Sequence, residues 1–158
     1  MKRATGLLFG LAAVLSGCGV FTEPGEGSRL ADARKLWDEQ GSQHYTYQVR
    51  SDCFCGMAGR WIEVTVHGGA VIAARDLDGT HVILPTELAS LPTVLDLFAR
   101  IQHAVLERAV LLEVQYDPLD GHPTRINVDV SRAVADEEYL LRSRELNHTP
   151  SVSLRGNR

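Results

Sequence analysis

The sequence is short of the features on which several classes of protein depend. Its 158 residues include only three cysteines, and aromatic residues make up 6% of the chain. The apolar stretch from Leu7 to Leu15 is far shorter than the about 20 residues that a membrane-spanning helix needs. No Gly-x-Ser-x-Gly motif, phosphate-binding loop or dinucleotide fingerprint occurs. These absences leave no catalytic constellation, so we expect a protein that is not an enzyme and needs no cofactor.

An excess of positive charge is also missing. Removing the first 17 residues, for the reason given below, takes away Lys2 and Arg3 and leaves 14 basic against 20 acidic residues, a net charge of −6. Binding to nucleic acid requires a concentrated basic face that neutralises phosphates. We therefore expect no nucleic-acid partner. The remaining chain of about 140 residues suits one domain with one core.

The N-terminus has the form of a secretory signal, with Lys2 and Arg3 before the apolar stretch. The signal ends in Leu15-Ser16-Gly17-Cys18, which resembles a bacterial lipobox. That resemblance implies that Cys18 is acylated, for example with palmitate, and becomes the mature N-terminus. Each buried methylene contributes roughly 0.8 kcal/mol, so two or three acyl chains would hold the protein durably on a membrane. An ordinary signal peptide that happens to contain a cysteine is the alternative.

The composition divides the rest of the chain into three parts. Residues 18–28 hold Pro24 and several glycines, and we predict a lipidated N-terminus and flexible tether there. Residues 29–146 should form a single domain, and residues 147–158 a polar tail. The predicted location is the cell envelope, with a lipid anchor in the membrane. In a cell with two membranes, we expect the outer membrane, facing the periplasm.

Hydrophobic periodicity predicts an α+β domain. We expect an antiparallel sheet of about five to six strands, with two main helices packed on one face. The predicted helices are Arg29–Gln40, with Trp37 in the core, and a helix from a Thr93–Asp96 capping box to Arg108. The predicted strands are Tyr45 to Cys55, Arg60–His67, Ala70–Asp76, a short His81–Leu84, Val110–Tyr116, Thr124–Val130 and Tyr139–Leu146. The inward-facing set is Tyr45, Tyr47, Val49, Ile62, Val64, Val66, Val94, Phe98, Ile101, Val105, Val110, Leu112, Val114, Tyr116, Ile126, Val128 and Val130.

Cys53 and Cys55 are the only thiols that remain once Cys18 carries lipid. Two residues of strand span about 6.6 Å, at the long limit of the Cα separation in a disulfide. An envelope location favours a disulfide, which the turn at Gly56 would allow by bending the chain. Two thiolates could instead bind Cu(I), supply half of a zinc site, or exchange with other thiols. We predict a disulfide and no metal, with a Cys53–Cys55 metal or redox site as the alternative.

The other polar residues suggest little chemistry. His44, His67, His81 and His122 stand singly along the chain, which is typical of surface histidines. Asp117 precedes Pro118 and is predicted to cap a turn; the spacing of Asp117 and Asp120 does not match a calcium-binding EF-hand. We expect no metal at this connector.

Several of these residues together resemble a family of bacterial envelope lipoproteins that carries a domain of unknown function. They are Trp37, Tyr45-x-Tyr47, Cys53-x-Cys55, Gly68-Gly69, Phe98 and Tyr116-Asp117-x3-Gly121-x-Pro123. The resemblance covers about residues 30 to 146 and implies no activity. We predict a non-enzymatic binding or assembly module with an unknown envelope protein as partner. A possible binding hairpin is Tyr116, Asp117, Gly121 and Pro123. A small copper-binding or thiol-redox lipoprotein is the alternative function.

Overall fold

The computed structural model describes residues 25–52, 57–130 and 138–149. Its elements are α1 (Glu26–Gln40), β1 (Tyr45–Asp52), β2 (Ile62–His67), β3 (Ala70–Asp76), α2 (Pro85–Leu88), α3 (Val94–Leu106), β4 (Leu111–Tyr116), β5 (Pro123–Asp129) and β6 (Tyr139–His148). The six strands form one sheet in the order β3-β2-β1-β6-β5-β4, and every neighbouring pair is antiparallel. The predicted α+β class and strand number are confirmed.

The centre of the sheet joins the two ends of the domain, because β1 pairs with β6. The first strand of one half thus meets the last strand of the other. Both halves have a helix followed by three strands, but the innermost strand comes first in one half and last in the other. The shared order of elements is therefore not a simple structural repeat.

The alternating apolar residues of the central strands lie on one buried face. Tyr45, Tyr47 and Val49 are at most 3% exposed, and Tyr47 and Val49 lie opposite Val64 and Ile62 of β2. The predicted period of two is confirmed for these strands. Gln48 faces the other side and is nonetheless buried, since it bonds to Arg144 and Glu145 of β6.

Helix α3 begins at the predicted capping box. The Thr93 hydroxyl accepts a hydrogen bond from the Asp96 N–H, and the Asp96 carboxylate accepts one from the Thr93 N–H. Of the predicted stripe, Val94, Phe98 and Ile101 are fully buried, whereas Val105 is only half-buried. The buried stripe also includes two residues that were not predicted. These are Leu97 and Ala104.

Both long helices contribute to one core together with the sheet. The entry to α3 contacts the buried face of β1 directly: the Tyr47 hydroxyl donates to the Pro92 carbonyl, and the Tyr45 hydroxyl accepts from the Val94 N–H. The packing of both main helices on this one face stays a prediction. None of the helices among the described residues is long and apolar enough to cross a membrane.

Several predicted boundaries are wrong. Helix α1 begins at Glu26 and not at Arg29, and β6 ends at His148 and not at Leu146. No strand forms at His81–Leu84; there, the His81 N–H bonds to the Asp76 carboxylate instead of a neighbouring strand. Val110 precedes β4 and is 48% exposed, not inward-facing.

Candidate functional site

The connector between β4 and β5 lies directly against helix α1. Gly121 has a φ of +79°, and a Cβ placed on it would come within 2.2 Å of the Ala33 carbonyl oxygen. Only glycine accommodates both the left-handed backbone and this approach. The glycine of the Tyr-Asp-x3-Gly-x-Pro pattern therefore sets how closely the hairpin packs on α1.

Polar contacts fix the same hairpin to the start of α1 and to β6. The Tyr116 hydroxyl donates to Glu26 at 2.8 Å, and Arg29 donates to the Val114 carbonyl at 2.8 Å. Pro123 is buried, and its carbonyl accepts from the Ser143 hydroxyl. Tyr116, Gly121 and Pro123 thus make intramolecular contacts, and use of the hairpin to bind a partner stays a prediction.

Asp117 forms the turn that was predicted for it. Its Oδ1 accepts a hydrogen bond from the Leu119 N–H at 2.8 Å, and its carbonyl accepts from the Gly121 N–H at 2.9 Å. The side chain of Leu119 projects from this turn and is 80% exposed. The turn leaves the second carboxylate oxygen of Asp117 without a hydrogen bond to any of the described residues.

Asp120 and His122 form a buried pair at the base of the turn. Asp120 Oδ1 lies 2.5 Å from His122 Nδ1 and also accepts from the His122 N–H at 3.0 Å. Asp120 is 9% exposed and His122 is 4% exposed. Burial by itself would raise the pKa of Asp120, but the hydrogen bonds from His122 and the charge of His148 hold it below the ordinary value.

His148, at the end of β6, approaches the same carboxylate from the other side. Its Nε2 lies 3.5 Å from Asp120 Oδ2. Asp117, Asp120, His122 and His148 line one cavity of about 610 Å³, which Gln40 at the end of α1 also borders. One ligand atom from each of Asp117, Asp120 and His122 lies within 4.8 Å of the others. We call Asp117, Asp120, His122 and His148 the hairpin cluster.

The interpretation of His122 as an ordinary surface histidine is wrong. The residue is buried because the hairpin packs on α1, and its Nε2 is the one buried side-chain nitrogen or oxygen without a hydrogen-bond partner in the described part of the chain. A signal for the pair does exist in the sequence, since Asp120 and His122 stand two residues apart in a tight turn. No sequence pattern near Asp120 and His122 indicates that His148 lies beside them.

A second cavity, of about 320 Å³, opens between the sheet and the helices at the far end of β1. We call it the core cleft. Its walls are largely apolar, with Arg60, Glu87 and Arg100 as the charged groups. The lining residues from the described part of the chain are Val49, Ser51, Met57, Arg60, Ile62, Glu87, Ser90, Leu91, Pro92, Arg100 and Leu141.

Two of the three charges in the core cleft already have partners. Arg60 pairs with Asp76 at 3.1 Å, and Glu87 pairs with His81 at 2.9 Å. Hydrogen bonds from the Leu84 N–H and from His81 lower the pKa of Glu87, so its carboxylate is ionised. Arg100 is exposed on α3 and has no hydrogen bond or ion pair with the described residues. Within the described part of the chain, Arg100 is thus a positive charge without a counter-charge, beside the apolar wall of the core cleft.

The predicted disulfide residues Cys53 and Cys55, and the predicted lipidation residue Cys18, lie outside the described residues. The chain leaves β1 at Asp52 and is described again from Met57, which lines the core cleft. A hydrogen bond of 2.8 Å from the Gly59 N–H to the Ser51 carbonyl joins the two ends of this connection. Ser51 and Met57, which flank the two thiol residues in the sequence, therefore both line the core cleft.

Comparison with known families identifies the domain. Residues 29–148 match the family of unknown function DUF6174. The chain belongs to this family. The match spans all six strands and α3, together with nearly all of α1. No curated protein and no solved structure matches the chain. The resemblance to a domain of unknown function is confirmed, and the family brings no activity with it.

Proposed function

We propose that this DUF6174 protein is a lipid-anchored module of the bacterial cell envelope that binds an amphipathic organic anion without chemically changing it. The observation that carries the proposal is Arg100, a charge without a counter-ion in the described part of the chain, at the rim of the apolar core cleft. A ligand or partner segment with an apolar body and an acidic end would match both features.

The energetics favour this class of ligand. Apolar surface removed from water contributes roughly 25 cal/mol per Å², so a short acyl chain in the core cleft would gain several kcal/mol. A guanidinium recognises carboxylate in a bidentate geometry, and such charge-assisted bonds are about twice as strong as neutral ones. The volume of about 320 Å³ falls at the small end of the usual range of ligand sites.

Isothermal titration calorimetry with decanoate tests the proposed ligand class. Residues 19–158, produced without lipid, should bind decanoate, and Arg100→Gln should weaken that binding at least fivefold. Lys35→Gln is the matched control, because it removes the same charge from an exposed position on α1 that does not line the core cleft. Decanol, which lacks the acidic end, should bind more weakly than decanoate to the wild type. Equal decanoate affinity in wild type and Arg100→Gln would reject the assignment.

The anchor is proposed from the lipobox at Leu15 to Cys18. Cells fed an alkyne fatty acid should label the wild-type protein, and Cys18→Ser should abolish the label and release the folded domain from membranes. The double variant Cys53→Ser/Cys55→Ser keeps Cys18 and should label normally. If the Cys18→Ser variant is still labelled, the lipid is attached at another residue, and the proposed lipidation of Cys18 is wrong. In a cell with two membranes, we propose the outer membrane, facing the periplasm.

The second candidate function is a thiol-redox or copper-binding lipoprotein that uses Cys53 and Cys55. It is supported by Ser51 and Met57, which line the core cleft on either side of residues 53–56 in the sequence. We favour a Cys53–Cys55 disulfide, and the mass of the protein taken from the envelope should be two hydrogens below that of the dithiol. Two freely alkylated thiols would exclude the bridge. A bound copper ion with those thiols would favour the second function.

A further inference from the structure

We propose that the outer face of the sheet binds an acidic polypeptide segment of a partner protein through a row of arginines, Arg50, Arg142 and Arg125. We call these three residues the arginine row. The core cleft is lined by Val49 and Leu141, which lie on the other, buried face of the same strands. The two sites are therefore separate.

The register of strands β1, β6 and β5 places the three arginines side by side. Arg142 of β6 lies directly opposite Arg50 of β1 on one side and opposite Arg125 of β5 on the other. The adjacent Leu141 and Ile126 are at most 3% exposed on the buried face, so the arginine side chains project from the outer face. Neighbouring strands are about 4.8 Å apart, which makes the arginine row about 10 Å long.

The charge of the arginine row is compensated only in part by the described residues. The carboxylate of Asp52 accepts a hydrogen bond from Arg50 at 3.0 Å and another from Arg142 at 2.7 Å. Arg125 has no hydrogen bond or ion pair with any described residue. Like charges directly opposite each other on neighbouring strands destabilise a sheet. A negatively charged partner would offset this repulsion, and the fold itself gains nothing from it.

The arginine row is narrow, because carboxylates lie on both sides of it. Two residues beyond the row in β5, Asn127 lies opposite Glu113 and donates to it at 3.0 Å. On the other side, Gln48 lies opposite Glu63 and donates to Glu145. A flat anionic membrane would meet these carboxylates as well as the arginines, whereas an extended chain that follows the row would meet the arginines. A linear acidic segment of a protein therefore fits this surface better than a lipid surface does.

Arginine is well suited to such a partner. Its planar guanidinium can bind a carboxylate through two parallel hydrogen bonds. Alternate residues of an extended segment are about 6.6 Å apart, so two carboxylates on one face of the segment fit within the length of the arginine row. The side chains of Arg50 and Arg142 remain 34% and 37% exposed beside Asp52, which leaves them accessible to a second carboxylate.

Fluorescence anisotropy with a labelled peptide tests this surface. The protein is the full chain in a neutral detergent, and the probe is a rhodamine-labelled octapeptide of alternating glutamate and serine. We expect saturable binding in about 20 mM salt, where surface charges are weakly screened. Arg125→Gln should weaken that binding at least fivefold. The same peptide with glutamine in place of glutamate should not bind.

Lys35→Gln is the matched control. It removes the same charge from a position on α1 that is 77% exposed and lies outside the arginine row, so the affinity should stay within twofold of the wild type. Urea unfolding monitors the fold of each variant. Because Arg125→Gln removes a like-charge neighbour of Arg142, its unfolding midpoint should be equal to that of the wild type or higher.

Three results would overturn the proposal. The first is unchanged affinity in Arg125→Gln, or an equal loss in Lys35→Gln. The second is the absence of peptide binding by the wild type. The third is displacement of half of the peptide by micelles that contain phosphatidylglycerol at an equal concentration of negative charge, because the arginine row would then recognise a lipid surface.

Discussion

The hydroxyl of Tyr45 accepts a hydrogen bond of 2.8 Å from the backbone N–H of Val94, so strand β1 caps the first residue of helix α3. Thr93 satisfies a different donor of the same helix end, the Asp96 N–H. The start of α3 is thus held by its own capping box and by a strand distant in sequence. This links the helix to the buried face of the sheet.

Removal of the Tyr45 hydroxyl should therefore weaken the fold. Tyr45→Phe leaves the Val94 N–H buried without a partner, and we expect the free energy of unfolding to fall by about 1–3 kcal/mol. Tyr139→Phe is the control: Tyr139 is half-buried and its hydroxyl makes no hydrogen bond to the described residues, so the change should stay below about 0.5 kcal/mol. Urea unfolding of both variants gives the comparison, and equal losses would contradict the capping role.

Alkaline pH should lower the stability of the fold by ionising its tyrosines. Burial raises the pKa of Tyr45 to about 12 and also raises the pKa of Tyr47, Tyr116 and Tyr139. These are all four tyrosines of the chain. Because the unfolded state loses phenolic protons near pH 10 and the folded state retains them, the stabilisation is complete below pH 10 and is lost as the pH rises through the folded-state pKa values, near 12 for Tyr45.

Ultraviolet titration measures this directly. The protein while folded, as judged by circular dichroism, should show no tyrosine ionisation centred at pH 10. In urea, all four tyrosines should titrate near that value. A folded protein in which half of the tyrosine signal appears at pH 10 would mean that the phenols are accessible to solvent in the folded state.

The core face of α3 provides a third prediction. Phe98 is fully buried, and Phe98→Ala should lower the stability by about 3–5 kcal/mol through the cavity it leaves. Arg100→Ala, at an exposed position of the same helix, should change it by less than about 0.5 kcal/mol. Leu95→Ala is a second control with an apolar side chain that is 54% exposed. Similar melting temperatures for Phe98→Ala and Leu95→Ala would contradict the assigned helix face.

The fold could be predicted from the sequence largely because its signals are local. The alternation of Ile62, Val64 and Val66 predicts a buried face of the sheet, and the capping box of Thr93 and Asp96 predicts the start of a helix. The same locality explains the errors. Val110 continues the alternation of β4 but precedes the strand, and Glu26 begins a helix because the Gly25 carbonyl accepts from both Ser28 and Arg29.

The hairpin cluster could be predicted only in part. The dipeptide Asp117-Pro118 predicts the turn, and Asp120 lies two residues before His122 in the sequence. Burial of His122, however, follows from the packing of Gly121 on α1, a contact with no local signal. His148 reaches Asp120 because β6 pairs with both β5 and β1, which sets where its end lies. A site assembled by sheet register cannot be read from the spacing of its residues.

The close approach of the hairpin to α1 gives the last prediction. Gly121 and Gly79 both have positive φ, +79° and +66°, so alanine at either position meets the same backbone penalty of about 1–2 kcal/mol. A Cβ at Gly79 would meet nothing within 4 Å, whereas one at Gly121 would strike the Ala33 carbonyl at 2.2 Å. Gly121→Ala must therefore move the hairpin off α1 as well. We expect it to lose more than about 3 kcal/mol in urea unfolding and Gly79→Ala less than about 2 kcal/mol. Equal losses would mean that the hairpin can shift at little cost, and that the contact with Ala33 does not hold the cluster in place.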